Sequence, residues 1–136
     1  MTGYLLDTSV YSQPLRRKPI KSALHRWREA GDGRCGVSIV SVAEVEWGLH
    51  LENHPVRWEK YRRIVEGRIQ VFAAGDEVWR KFAEIKARQQ QSGHPVADLD
   101  LLIAATAHVH RLIVATLDHS DFCRIQGIAW EDWSAC

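Results

Sequence analysis

The sequence predicts an α/β fold: a three-layer α/β/α sandwich around a central parallel sheet of four to five strands. Three observations carry this. Short apolar runs near residues 3–6, 35–38, 69–72, 112–115 and 128–130 are too brief for helices and read as buried strands. Between them lie stretches whose apolar residues recur at helical spacing. Strands alternating with helices make a parallel sheet covered on both faces, and right-handed crossovers bring every strand's carboxyl end to one edge.

In chain order, Gly3-Tyr4-Leu5-Leu6 is the first strand and runs directly into Asp7-Thr8-Ser9. Residues 10–15 allow one or two helical turns before Pro19, and a helix follows over 19–30 with Ile20, Leu24 and Trp27 along one side. Gly31-Asp32-Gly33 ends it, and Cys35–Ser38 is the second strand. Ser41-Val42-Ala43-Glu44 opens the next helix, with Val42, Val45, Leu49 and Trp47 as its inward candidates, until His54-Pro55 breaks it. A helix over 56–66 presents Trp58, Tyr61 and Ile64/Val65, and Ile69–Phe72 is the third strand. Asp76–Gln91 is a long amphipathic helix with Val78, Phe82 and Ile85 as its stripe. The helix over 99–110 is apolar almost all round, hence buried. Leu112–Ala115 is the fourth strand, 118–124 a turn or short helix, and Ile128–Trp130 a terminal strand.

At 136 residues the length fits one domain spanning 1–136, and 46% hydrophobic with 26% charged residues is ordinary for a globular protein. No apolar run approaches a membrane span, and the N-terminus lacks the zones of a signal peptide, so a cytoplasmic location is expected. Cys35, Cys123 and Cys136 are odd in number and far apart, which disfavours a disulfide framework and a structural zinc site. The formal net charge of +1 names no partner. The basic residues are nevertheless clustered, in Arg16-Arg17-Lys18 with Lys21 and in Arg57, Lys60, Arg62 and Arg63. Each cluster taken separately reads as a solvated face.

The acids are more informative. Strand one delivers Asp7, strand two leads to Glu44, strand four leads through Thr116 to Asp118, and the buried helix begins at Asp98-Leu99-Asp100. Ligands in open α/β sheets bind outside the carboxyl ends of the strands. Each acid also has a structural explanation. Asp7 suits a turn or N-cap, Glu44 the back-reaching acid of a capping box with Ser41, Asp98 and Asp100 a helix N-terminus, and Asp118 with Asp121 a turn. Four acids on one edge are different in kind, because like charges raise one another's pKa and oppose folding unless a cation neutralises them. Carboxylate oxygens select Mg²⁺ or Mn²⁺. A carboxylate cluster holding such an ion is, in outline, a phosphodiester-cleaving site. His108-x-His110 and His119 with Cys123 lack a third zinc ligand at matching spacing. No GxxxxGK[ST], GxGxxG or GxSxG motif is present.

Leu5-Leu6-Asp7-Thr8-Ser9, Val37-Ser38 with Ser41-Val-Ala-Glu44-Val-Glu-Trp-Gly48, Asp100-Leu-Leu-Ile-Ala-Ala-Thr-Ala107, and Val114-Ala-Thr116 with Asp121-Phe122 together resemble a PIN domain. The closest type is the VapC toxin of bacterial toxin–antitoxin pairs. The resemblance covers essentially the whole chain with its motifs in family order. It implies that Asp7, Glu44 and Asp100 are the three core acids, acting as both metal ligands and catalytic residues, and that Asp118 falls at the fourth acid, with Asp121 as its competitor. Thr8, Ser9, Thr116 and Asp98 are supporting positions. It further implies a Mg²⁺-dependent ribonuclease (Mn²⁺ substituting) that forms a homodimer and is held inactive by a VapB-type antitoxin, touching DNA only through that antitoxin. Ile20, Leu24, Trp27, Trp47 and Trp58 are expected to line the antitoxin groove. Two other readings compete. A receiver-like signalling domain would want paired acids after strand one and a late Lys, yet Thr8-Ser9 follows Asp7 and no Lys follows Lys86. A catalytically silent PIN-like scaffold is countered by the presence of all four acids.

Overall fold

The computed structural model describes residues 3–135 and arranges five strands in the order β3-β2-β1-β4-β5, every neighbouring pair parallel. The strands are β1 (Tyr4–Leu6), β2 (Cys35–Ser38), β3 (Gln70–Phe72), β4 (Ile113–Thr116) and β5 (Trp130–Asp132). Between them run α1 (Thr8–Tyr11), α2 (Lys21–Ala30), α3 (Ile39–Glu52), α4 (Pro55–Ile64), α5 (Asp76–Gln91), α6 (Asp98–Val109) and α7 (His119–Phe122). Short 3₁₀ turns at Gln13–Leu15 and Asp32–Arg34 complete the path. Cys136 lies outside the described residues.

Alternation along the strands builds the two cores. Leu5 and Val114 point to one face, with Val78, Ile85, Ile103 and Phe122. Leu6 and Ala115 point to the other, with Val10, Tyr11, Trp27, Tyr61 and Trp133. Successive strand residues face opposite sides of a sheet, so a strand of three residues can seed both layers. Gly36 in β2 is required by packing: a Cβ there would collide with the Phe72 ring on β3.

Several element boundaries lie a residue or two from the sequence expectation, and one side chain expected inside faces out. The third helix starts at Ile39, with Ser38 as its N-cap accepting from the Val40 N–H at 3.1 Å. Ser41 therefore does not open it. Pro19-Ile20 stay extended, and α2 begins at Lys21. The last strand is Trp130–Asp132 rather than 128–130, because its register is set by pairing Thr116 with Asp132. Trp47, an inward candidate, is 61% exposed. No helix among the described residues is long and apolar enough to cross a membrane.

The sheet order places β1 centrally, flanked by β2 and β4. The chain leaves β1 toward one side and returns on the other, so the crevice above the carboxyl end of β1 is the switch point where α/β proteins bind ligands. Asp7 is the first residue beyond that strand.

Candidate active site

Asp7 is 4% exposed, and both its oxygens are engaged. Oδ1 accepts from the Ser9 hydroxyl at 2.6 Å and from the Val10 N–H at 3.1 Å, which makes Asp7 the N-cap of α1. Oδ2 accepts from the Thr116 hydroxyl at 2.6 Å. The hydroxyls are themselves held: the Leu117 N–H donates to Ser9 Oγ at 3.0 Å, and the Asp118 N–H to Thr116 Oγ1 at 2.9 Å. Ser9 and Thr116 thus fix the Asp7 carboxylate between β1 and the turn after β4. Burial still pushes the Asp7 carboxyl above its ordinary value, and the hydrogen bonds only partly oppose that.

The capping-box expectation for Glu44 does not hold. With Ser38 at the N-cap, Glu44 sits in the second turn of α3, too far along to reach back to the helix start. Its Oε1 instead accepts from the Thr8 hydroxyl at 2.7 Å. Ser41, fully buried, lies with its Oγ 3.0 Å from Thr8 Oγ1. Ser41 is a positioning residue that sequence reasoning assigned to capping; its spacing of three from Glu44, on one helix face, was the available signal.

Asp100, in the first turn of α6, is half-buried and its carboxyl is pushed up to about 6. Burial is the first cause; the charges of Asp121, Glu44, Asp7 and Asp118 follow. The structure thereby brings five acids from four segments into one electrostatic neighbourhood. Asp118 and Asp121 bracket the start of α7, where Asp118 Oδ1 accepts from the Ser120 hydroxyl at 2.7 Å. Asp98 is separate: it is exposed and pairs with Lys86 on α5 at 3.0 Å.

Among the described residues, none of Asp7, Glu44, Asp100, Asp118 and Asp121 takes part in an ion pair, although other acids of the chain do. Nor, among those residues, are three or more His, Cys, Asp or Glu side chains gathered tightly enough to hold an ion by themselves. The two observations are compatible with Mg²⁺, which is usually held by only one or two carboxylates and keeps several waters. The donor set is all hard oxygen, its negative charge has no ion-pair partner among the described residues, and Asp100 registers the repulsion. These residues fit a small divalent cation.

Of the residues expected to line a groove, Ile20 is 41% and Trp47 61% exposed, while Leu24 is half-buried. Trp58 is half-buried against the core, edge-on to His50 and Tyr61. Trp27 corrects the expectation. At 1% exposure it belongs to the core, because its indole N–H finds Asp32 Oδ1 at 2.8 Å and its face is covered by the Arg68 guanidinium.

Comparison with known proteins gives a family match over residues 4–128, described as a PIN domain. A tRNA(fMet)-specific endonuclease VapC of Shigella flexneri is 27% identical over 98% of this chain and 100% of its own length. VapC ribonuclease Y4jK of Sinorhizobium fredii is 30% identical over 87% of this chain and 89% of its own. A DNA-bound VapBC structure from Salmonella typhimurium contains a chain that superposes with a TM-score of 0.82 at 27% identity, covering 98% of this chain and 99% of that one.

Proposed function

We propose, from the premise that this chain belongs to the PIN-domain family, that it is a Mg²⁺-dependent endoribonuclease toxin neutralised by a cognate VapB-type antitoxin. The observation that carries the reading is the acid cluster at the β1 switch point, none of whose members is in an ion pair among the described residues. The relatives named ribonuclease and endonuclease, and the VapBC neighbour, supply the reaction class and the type of partner. Asp7 and Asp100 would hold the ion, with Glu44 and Asp118 completing its surroundings and Asp121 adjoining them. Mn²⁺ would serve in place of Mg²⁺. A divalent ion there supplies an activated water and stabilises the attacking and leaving oxygens of the phosphodiester.

The chain's own groups do the rest. Ser9 and Thr116 hold both Asp7 oxygens in fixed positions at the end of β1, and Thr8 with Ser41 holds Glu44 in place. Asp98, tied to Lys86, is left an outer role at most. The antitoxin would cover Ile20, Leu24, Trp47 and Trp58, and a second copy of the chain would complete a cytoplasmic homodimer that reaches DNA only through the antitoxin. The primary test is incubation of purified protein with RNA in Mg²⁺ or in a chelator. Cleavage confined to the metal-containing reaction is expected; cleavage undiminished by chelation sinks the metal assignment.

Two further results follow. Asp100 binds its proton more tightly when folded, its carboxyl standing at about 6 against an ordinary 3.8. The native state therefore holds more protons than the unfolded chain between those values, and stability falls as pH rises from about 4 to about 6. In metal-free protein the melting temperature should drop across that window, and Asp100→Asn should reduce the drop, the buried Asp7 carboxyl, also raised, keeping its own share. Added Mg²⁺ should raise it at pH 7 more than at pH 5, since the ion binds ionised carboxylates and only the native state holds them together. A metal-free melting curve that stays flat in wild-type protein contradicts this account.

Glu44→Gln tests the second acid. The amide oxygen can still accept from Thr8, and no cap is lost, so stability should change by less than about 1 kcal/mol. Cleavage should nevertheless fall, because a charge facing Asp100 has gone. A fully active Glu44→Gln protein removes Glu44 from the site.

A further inference from the structure

We infer that a basic groove leading away from the acids, walled by Arg16 and Arg17 on one side and floored by Gly48 of α3, is a phosphate track for single-stranded RNA flanking the cleaved bond. Arg16 and Arg17 of the first basic cluster meet Arg57 of the second here. Arg57 of α4 donates to the Leu15 carbonyl at 2.9 Å and pairs with Glu52 at the end of α3 at 3.3 Å. This pins the 3₁₀ turn at Gln13–Leu15 against α3 and α4 and places Arg16 and Arg17 on the rim of a groove of about 390 Å³.

The groove lies beside the acids, since Ser12 follows α1, which Asp7 caps, and Val45 of α3 is the neighbour of Glu44. Its two walls, α1 continuing into the 3₁₀ turn and α3, are joined by the Thr8–Glu44 hydrogen bond. From Glu44, Gly48 is one turn further along α3 and Glu52 two turns, a run of roughly 6 and 12 Å at 1.5 Å per residue. Arg16 is held on this rim by Ser12, its Nη2 donating to Ser12 Oγ at 3.4 Å. Arg57 has its charge offset by Glu52, so it braces the wall, while the exposed Arg16 and Arg17 carry the groove's net positive charge.

Gly48 is the independent observation. It lies in the interior of a 14-residue helix, where glycine is less favourable than alanine. A Cβ built on it would meet nothing within 4 Å, so the fold has no need of glycine at this position. A bare stretch of helix backbone lining a groove is what a ligand approaching closely requires. Negative phosphates suit Arg16 and Arg17 by charge.

This inference rests on the nuclease reading, and the experiment separates the two. Binding of a short fluorescein-labelled single-stranded RNA of mixed sequence is followed by anisotropy in chelator over a salt series, and cleavage is measured separately in Mg²⁺. Arg16→Ala/Arg17→Ala should weaken binding on the order of tenfold at low salt and reduce the slope of log affinity against log salt by about 0.7 for each arginine. Arg16→Lys/Arg17→Lys should restore the slope, which a merely structural role would not. Gly48→Ala should melt higher than wild type yet bind the RNA more weakly. An unchanged slope in the alanine pair, or wild-type affinity in Gly48→Ala, overturns the track while leaving metal-dependent cleavage standing. A wild-type protein that cleaves RNA but binds poly-glutamate peptide as tightly as RNA at equal ionic strength marks the groove as a protein-docking site and also overturns it. Absence of both RNA binding and cleavage removes the nuclease reading itself.

Discussion

Asp7→Asn is expected to abolish RNA cleavage, by at least about 10²- to 10³-fold, the scale lost with one preorganised electrostatic contact, while leaving the fold at least as stable as wild type. The reasoning is local. Asparagine is isosteric, and its carbonyl oxygen can still accept from Ser9 and the Val10 N–H, keeping the N-cap of α1. Its amide nitrogen then faces Thr116 Oγ1, which can accept once its own proton turns away. What disappears is a negative charge that burial already disfavours, so the metal-free protein gains from the change. The rise in melting temperature with Mg²⁺ should shrink in parallel with activity. This pairing of stability retained with metal response and cleavage lost is what separates a metal ligand from a structural acid. Well-folded Asp7→Asn protein that still cleaves RNA would return the chain to the silent-scaffold reading.

Much of this site was legible before the structure because the parallel sheet converts sequence order into position. Once strands are recognised ahead of Asp7, Glu44 and Asp118, their carboxyl ends must share an edge. What sequence could not supply is the difference between acids that are neighbours in sequence. Asp98 and Asp100 stand two residues apart on one helix start, and the 100° turn per residue sends them to different sides. Asp98 meets Lys86 on α5, whereas Asp100 faces the crevice. The Ser41–Glu44 pair matched a capping box by spacing, and the helix began two residues earlier because Ser38 captured the Val40 N–H first. A cap is a competition between adjacent hydroxyl residues, and the winner is decided by where strand β2 ends. The meeting of Arg57 with Arg16 and Arg17 was likewise hidden, since it depends on how α4 docks on the 3₁₀ turn rather than on either segment's pattern.

Trp27→Ala should be the most damaging single substitution for stability among the residues expected to face a partner, costing about 3 to 5 kcal/mol, the range for truncating a buried large aromatic. That is a large part of the 5 to 15 kcal/mol typical of a whole domain, and the melting temperature should drop on the order of 10 °C or more. Three contacts converge on this side chain. Tyr11 stacks at 6.5 Å, the Arg68 guanidinium covers its face at 4.2 Å, and the indole N–H donates to Asp32. Arg68 also pairs with Asp32 at 3.0 Å, so removing the indole leaves an ion pair over a cavity. Trp27→Phe should recover much of the packing and lose mainly the hydrogen bond, about 1 kcal/mol. Trp47→Ala is the contrasting case: its exposed indole should cost little in the isolated protein. If Trp27→Ala melts like wild type and only partner binding suffers, the indole is interfacial and its place in the core is wrong. If Trp47→Ala weakens antitoxin binding at unchanged melting temperature, the partner surface lies along α3, where an amphipathic segment would meet the exposed Leu51 one turn further on.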